Sequence, residues 1–153
     1  MEFTDYDTRV AAYAVVVDGE PGAERVLLAL WNEAEEPRWT LPGGGVELRE
    51  TVEDGAVREV REESGYDVEL TGLLGVHSYV IPPSRRFVRT RRPMKALRVV
   101  FGARVVGGSL TREIGGTTDE ARWFDLAEVS ALPQVGLVEI GLEMWQRAQQ
   151  ARR

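Results

Sequence analysis

The chain has 153 residues, 43% of them hydrophobic and 29% charged, which is ordinary for a soluble globular protein and enough for one domain spanning residues 1–153. Acidic residues outnumber basic ones by 25 to 19, and the net charge of −6 argues against general adhesion to nucleic acid or to an anionic membrane. With no cysteine and a single histidine, His77, disulfides, thiolate chemistry and a multi-imidazole zinc site are excluded, so any metal must be held mainly by oxygen, which favours Mg²⁺ or Mn²⁺.

The first residues, Met1-Glu2-Phe3-Thr4-Asp5, lack the basic start and apolar stretch of a signal peptide, and a cytoplasmic location is expected. The longest apolar run, Val10 to Val17, is far too short to cross a bilayer and reads as a buried strand within Arg9–Val17. Asp18-Gly19-Glu20-Pro21-Gly22 is turn chemistry, and Arg25–Trp31 is a second strand candidate. A short extended piece, Arg38–Leu41, runs into Pro42 and three glycines. Thr51 then reads as a helix N-cap with Asp54 three residues on, and Gly65 stands where a left-handed C-terminal residue belongs. Strand-like runs return at Val68–Ile81, Ala96–Val106 and Ala121–Phe124, with a short helix starting near Asp125. A last helix, Leu137–Ala151, carries an apolar stripe of Leu137, Ile140, Met144, Trp145 and Ala148, suited to the core or to a homodimer surface. No repeat, linker or low-complexity tract divides the chain. The order of elements implies an α/β fold, a mixed sheet flanked by helices.

The chemistry concentrates between Gly44 and Tyr66. On a helix each residue advances about 100°, so Glu59, Glu62 and Glu63 fall within an arc of about 100° beside an apolar stripe of Ala56, Val57 and Val60. Like charges so spaced repel by a few tenths of a kcal/mol per pair, offset in part by Arg58 and Arg61. Two readings remain open on these residues alone: a solvated charged face, or a cation site supported by the preceding glycine-rich loop, which permits close backbone approach to a ligand. Gly55, in mid-helix, costs about 1 kcal/mol relative to Ala, and either leaves room for a loop or substrate or reflects drift.

The full spacing is more specific. Gly44, Glu50, Arg58-Glu59-Val60, Glu62-Glu63 and Gly65 stand in the register of the Nudix box, a match whose chance probability in a chain of this size is on the order of 10⁻⁷ to 10⁻⁶. The chain therefore resembles a Nudix hydrolase. Tyr66 departs from the pattern, standing where the family usually has an aliphatic residue. The resemblance implies an α/β/α sandwich whose box forms a loop, a helix and a loop that bind Mg²⁺ or Mn²⁺. Carried over residue by residue, it makes Glu59 and Glu63 the main metal ligands, with Glu62 assisting and the Gly44 carbonyl as a further ligand. Glu50 and Arg58 would organise the site, and Gly65 would end the helix. The general base varies within the family, and Glu113, Asp119 and Glu120 join the box glutamates as candidates.

The substrate is set elsewhere. Pro82, sixteen residues past Tyr66, stands where some ADP-ribose-cleaving members carry a proline; an ordinary loop proline is the alternative. Six basic residues crowd Arg85 to Lys95 of this acidic chain. From that segment Arg85, Arg86 and Arg89 are candidates for gripping substrate phosphates, and Phe87 for stacking on a base; a solvated hairpin tip is the alternative. Of the four tryptophans, Trp31 and Trp39 are the better candidates for substrate contact. The expected activity is hydrolysis of a nucleoside diphosphate linked to another moiety, with nucleoside triphosphates and ADP-ribose leading. The alternatives are trimming of pyrophosphate from RNA 5′ ends, and nucleotide sensing without turnover.

Overall fold

The computed structural model describes residues 1–111, 115–116 and 118–153, without the side chain of Asp119. Its first strand, β1 (Asp7–Asp18), runs through the middle of the fold. Alternate side chains of β1 leave on opposite faces. Ala12, Ala14 and Val16 join clusters with Ala56 and Val60 of helix α1 (Val52–Ser64), whereas Val15 joins one with Leu137 and Val138 of helix α2 (Gly136–Ala151). The apolar run is uninterrupted because both of its faces are covered.

On one flank β1 pairs in parallel with β6 (Met94–Gly108), from Asp7 opposite Met94 to Val16 opposite Ala103. Beyond β6 lies β5 (Tyr66–Ile81), antiparallel and interrupted by register shifts. On the other flank β1 meets β2 (Arg25–Trp31) only at Val17 and Asp18. Upstream of that point its partner is β4 (Gly43–Gly45), opposite Ala11 to Tyr13. β2 goes on to pair with β3 (Arg38–Thr40) and β7 (Thr118–Asp125). The described residues thus form a mixed sheet of seven strands that parts between β1 and β2, with the three glycines in the parting.

The two helices close the sheet from opposite faces. Val60 of α1 is wholly buried, which contributes about 2 kcal/mol by removing its side chain from water. α2 seats at Gly141, where a Cβ would fall 2.5 Å from Leu41 Cδ1 and 3.3 Å from Val15 Cγ2. Short 3₁₀ turns at Pro83–Arg85 and Leu126–Ala131 complete the path, the second starting from Asp125 as the sequence suggests. Every strand expected from periodicity is present, four of the six longer by one to three residues at an end. β4 is the addition. No helix among the described residues is long and apolar enough to cross a membrane.

Candidate active site

Helix α1 is set in place at both ends. Thr51 caps it, its Oγ1 accepting from the Asp54 N–H at 3.1 Å. At the other end Gly65 takes φ 82°, and a Cβ there would collide with the Ser109 carbonyl and the Thr111 side chain. Only glycine suits that position. The helix presents Arg58, Glu59, Glu62 and Glu63 at fixed angular offsets to the loop that precedes it.

Arg58 ties these groups together. Its Nε donates to Glu50 Oε2 at 2.9 Å and its Nη2 to Glu50 Oε1 at 2.6 Å, while Nη2 also reaches the Gly45 carbonyl at 3.1 Å. Nη1 donates to Glu59 Oε1 and Glu62 Oε2, each at 3.1 Å. The guanidinium holds the Glu50 carboxyl far below its usual range, down to about 2, with help from the Glu47 N–H at 2.8 Å. In turn Glu50, and after it Glu59 and Glu62, hold the proton on Arg58 more firmly than water would.

The glycines are spaces for these carboxylates. A Cβ on Gly44 would stand 2.8 Å from Glu59 Oε1. The Gly43 N–H donates to Glu63 Oε2 at 3.2 Å, and Glu63 is only 4% exposed. In mid-helix, a Cβ on Gly55 would lie 3.0 Å from Glu50 Oε1 and 3.3 Å from Val46 Cγ2. Of the two readings of Gly55, room for the loop is the one the geometry favours.

Carboxylates of Glu59 and Glu63 beside loop backbone are hard oxygen donors, the set suited to Mg²⁺ or Mn²⁺. The absence of a side chain on Gly44 keeps the approach to Glu59 open, so the residues fit such an ion in chemistry and in space. Among the described residues no three acidic or imidazole side chains converge as a ready cage, since Arg58 draws Glu59 and Glu62 to itself.

A cleft of about 750 Å³ opens beside the glycine loop. Glu59, Glu63 and Gly43 to Gly45 line one side, with Arg85, Arg86, Phe87 and Val88 also in its lining. Two segments singled out separately in the sequence therefore meet at one cavity. Arg86 reaches the cleft but spends its Nη1 on Asp7 Oδ2, at 2.6 Å, and on the Arg92 carbonyl, at 2.9 Å. Together with Arg92 it pins the basic segment to β1, and both arginines hold Asp7 ionised, Arg92 the more strongly.

Other candidates lie elsewhere. Arg89 is exposed and outside the cleft lining; Glu62, also exposed, and the half-buried Glu50 and Arg58 lie outside it too. Glu120 is not brought to the cleft either; Arg122 holds its carboxylate from Nη2 at 2.5 Å and Nε at 3.0 Å. Glu113 and the Asp119 side chain lie outside the described residues. Trp31 lines the cleft, but Trp39 corrects the expectation of substrate contact: it is buried edge-on against Phe124, ring centres 4.6 Å apart. Tyr66 accepts from Trp123 Nε1 at 3.0 Å, so its departure from the box pattern serves packing under the sheet. Among the cleft residues that the sequence reading did not single out are Arg9, Tyr13, Tyr79 and Arg98.

The NUDIX domain family model matches residues 7–141. This chain belongs to the Nudix family. An ADP-ribose pyrophosphatase of Methanocaldococcus jannaschii is 36% identical over 121 residues, covering 78% of this chain and 66% of that protein. A NAD-capped RNA hydrolase NudC of Vibrio atlanticus is 28% identical over 114 residues, 74% of this chain but only 38% of that protein. The chain thus spans under two thirds of most of the curated relatives it matches. Among solved structures, a NUDIX hydrolase from Nitrosomonas europaea superposes with a TM-score of 0.75 at 21% identity, over 93% of this chain and 90% of that one. The NUDIX domain of Shewanella oneidensis NrtR, solved with ADP ribose, superposes with a TM-score of 0.70 at 17% identity, over 97% and 94%. At those identities the superpositions establish the Nudix fold.

Proposed function

We propose that this Nudix protein is a divalent-metal-dependent hydrolase that cleaves the pyrophosphate linkage of a nucleoside diphosphate joined to another moiety, with nucleoside triphosphates and ADP-ribose as the leading substrates. The observation that carries the reading is the shared cleft: buried or half-buried carboxylates on one side, and arginines with an aromatic ring on another. A diphosphate needs both, cations to neutralise its oxygens and a surface for the nucleoside.

In this reading Glu59, Glu63 and the Gly44 carbonyl hold the ion, with Glu62 assisting. When bound, Mg²⁺ or Mn²⁺ would supply charge neutralisation at the phosphoryl oxygens and a lowered pKa for water. Arg58 fixes the angle of Glu59 and Glu62 from behind, and Glu50 fixes Arg58. Arg85 gives charge at the far wall, and Phe87, 92% exposed, has a free face for a base. The names of the archaeal ADP-ribose pyrophosphatase and the NrtR complex support a nucleoside diphosphate derivative as substrate.

A screen of nucleoside triphosphates, ADP-ribose and 5′-triphosphorylated RNA with Mg²⁺ and Mn²⁺, reading release of nucleoside monophosphate or pyrophosphate, tests the assignment. Glu59→Gln is expected to lower kcat by about two to four orders of magnitude with the fold intact. Near-normal turnover in that variant defeats the ligand assignment, and activity on RNA ends alone would replace the substrate reading.

A further inference from the structure

The floor of the cleft carries a charge that the Nudix box does not explain. Arg98 sits in the middle of β6, opposite Ala11 on β1 and His77 on β5, and lines the cleft. Its Nη2 lies 3.0 Å from His77 Nδ1, and its guanidinium lies 4.5 Å over the Tyr79 ring. Neither neighbour is an anion. A guanidinium has no acceptor, so His77 accepts through Nδ1 and carries its proton on Nε2. The Nε of Arg98 is buried with no hydrogen-bond partner, and no ion pair among the described residues includes Arg98.

Among the described residues the other half-buried arginines each have a carboxylate: Arg58 has Glu50, and Arg86, whose Nε is likewise without a partner, has Asp7, each at 2.6 Å. A charge half withdrawn from water without an anion beside it is costly, and an acid-rich chain had ample carboxylates with which to satisfy it. Arg9, which is exposed, lies on the same sheet face, two residues along β1 from the partner of Arg98, and no ion pair among the described residues includes it. Tyr13, two residues beyond that partner on the same face of β1, is within electrostatic reach of Arg9, Arg98 and Tyr79.

The position of this pair separates it from the box carboxylates. Successive residues of a strand point to opposite faces. On β4, Gly44 faces Glu59, and Gly45 faces Arg9, whose Nη2 would be 3.4 Å from a Cβ there. Carboxylates and arginines therefore approach the same loop from its two sides.

We propose that Arg98 and Arg9 form an anion site on the sheet floor that takes a third phosphate group of the substrate, beyond the two of the scissile linkage. The inference rests on the pyrophosphohydrolase reading above and narrows it to nucleoside triphosphates over ADP-ribose, whose distal sugar bears no charge. Phosphate is the matching chemistry because a guanidinium offers planar paired donors to its oxygens, and the Tyr79 ring keeps that plane oriented.

The test is titration calorimetry of the full chain in EDTA with inorganic tripolyphosphate and with pyrophosphate, followed by kinetics in Mg²⁺. The wild-type chain should prefer tripolyphosphate by about tenfold, and Arg98→Met should cut that preference below about threefold with an unchanged melting temperature; Arg98→Lys should restore part of it. In kinetics Arg98→Met should raise KM for a nucleoside triphosphate about tenfold and for ADP-ribose less than about twofold. An unchanged tripolyphosphate preference, or equal losses on both substrates, overturns the third-phosphate site while leaving the hydrolase reading standing. A wild-type chain that turns over neither nucleotide defeats the hydrolase reading itself.

Discussion

Arg58 grips both oxygens of Glu50, Nε at 2.9 Å from Oε2 and Nη2 at 2.6 Å from Oε1, and with its remaining nitrogen holds Glu59 and Glu62. One planar group spans three carboxylates, which an ammonium cannot do. Arg58→Lys is therefore expected to keep the charge but loosen Glu59, weakening Mg²⁺ or Mn²⁺ binding by about 10–100-fold while the chain stays folded. Calorimetric metal titration of the variant checks this, and wild-type affinity would show that the fork geometry is irrelevant.

The same pair sets an acid limit. The folded-state carboxyl of Glu50 is lowered from 4.5 to about 2, so the unfolded chain takes up that proton first as pH falls. The contribution is complete above pH 4.5 and is lost between there and about 2. Glu50→Gln should be less stable than wild type at neutral pH, with the gap closing through that window. Parallel stability curves for the two proteins from pH 5 to 2 would contradict it.

Gly44→Ala separates shape from stability. Its φ is not in the left-handed region, so the backbone tolerates a side chain, but the new Cβ would stand 2.8–3.0 Å from the Glu59 carboxyl atoms. The carboxylate must turn away, which is cheap for the fold and damaging for the site. Unfolding free energy should change by less than about 1 kcal/mol, while metal affinity falls by about tenfold or more. A variant with ordinary metal binding would mean that Glu59 has another productive position.

Gly55→Ala pits two effects against each other. Helix propensity favours the change by about 1 kcal/mol, but the Cβ would come 3.0 Å from Glu50 Oε1, on a carboxylate that three donors hold in place, two of them at that oxygen. Contact should win, leaving the variant no more stable than wild type by thermal denaturation. A gain of about 1 kcal/mol with full activity would show that the loop yields freely.

His77 gives the chain a dependence nearer neutrality. Burial, and then the Arg98 charge, hold its pKa below 6.5, so the unfolded state binds a proton more readily. Its contribution is fully present above 6.5 and is lost as pH falls through the lowered value. His77→Asn should flatten the change in melting temperature between about pH 7 and 5. An undiminished slope would place the titration elsewhere.

The helix of the site was legible because its information is local. Thr51, Gly65 and the offsets among Glu59, Glu62 and Glu63 are set by one helical period, and the structure keeps all of them. β4 was not legible, since three glycines carry no pattern, and only pairing with Ala11 to Tyr13 makes them a strand. Trp39 was misjudged because closeness in sequence to the box does not decide which face of β3 it occupies. Arg9 and Arg98 become neighbours only through the β1–β6 register. One hint was available: Arg98 and Arg104 interrupt an otherwise apolar run, Ala96 to Val106, and a charge in such a place needs a reason; Arg104 finds Glu69, whereas Arg98 faces the cleft.

The parallel pairing of β1 with β6 has a consequence for the birth of the protein. Residues 7–16 find that partner only in residues 94–103, so during synthesis the first strand leaves the ribosome well before its neighbour exists. At cellular translation rates the wait is on the order of ten seconds. Throughout it, a segment destined for burial on both sides is open to self-association or to chaperones. Codon usage between the two strands, which no folded-state contact reflects, should therefore influence the yield of folded protein.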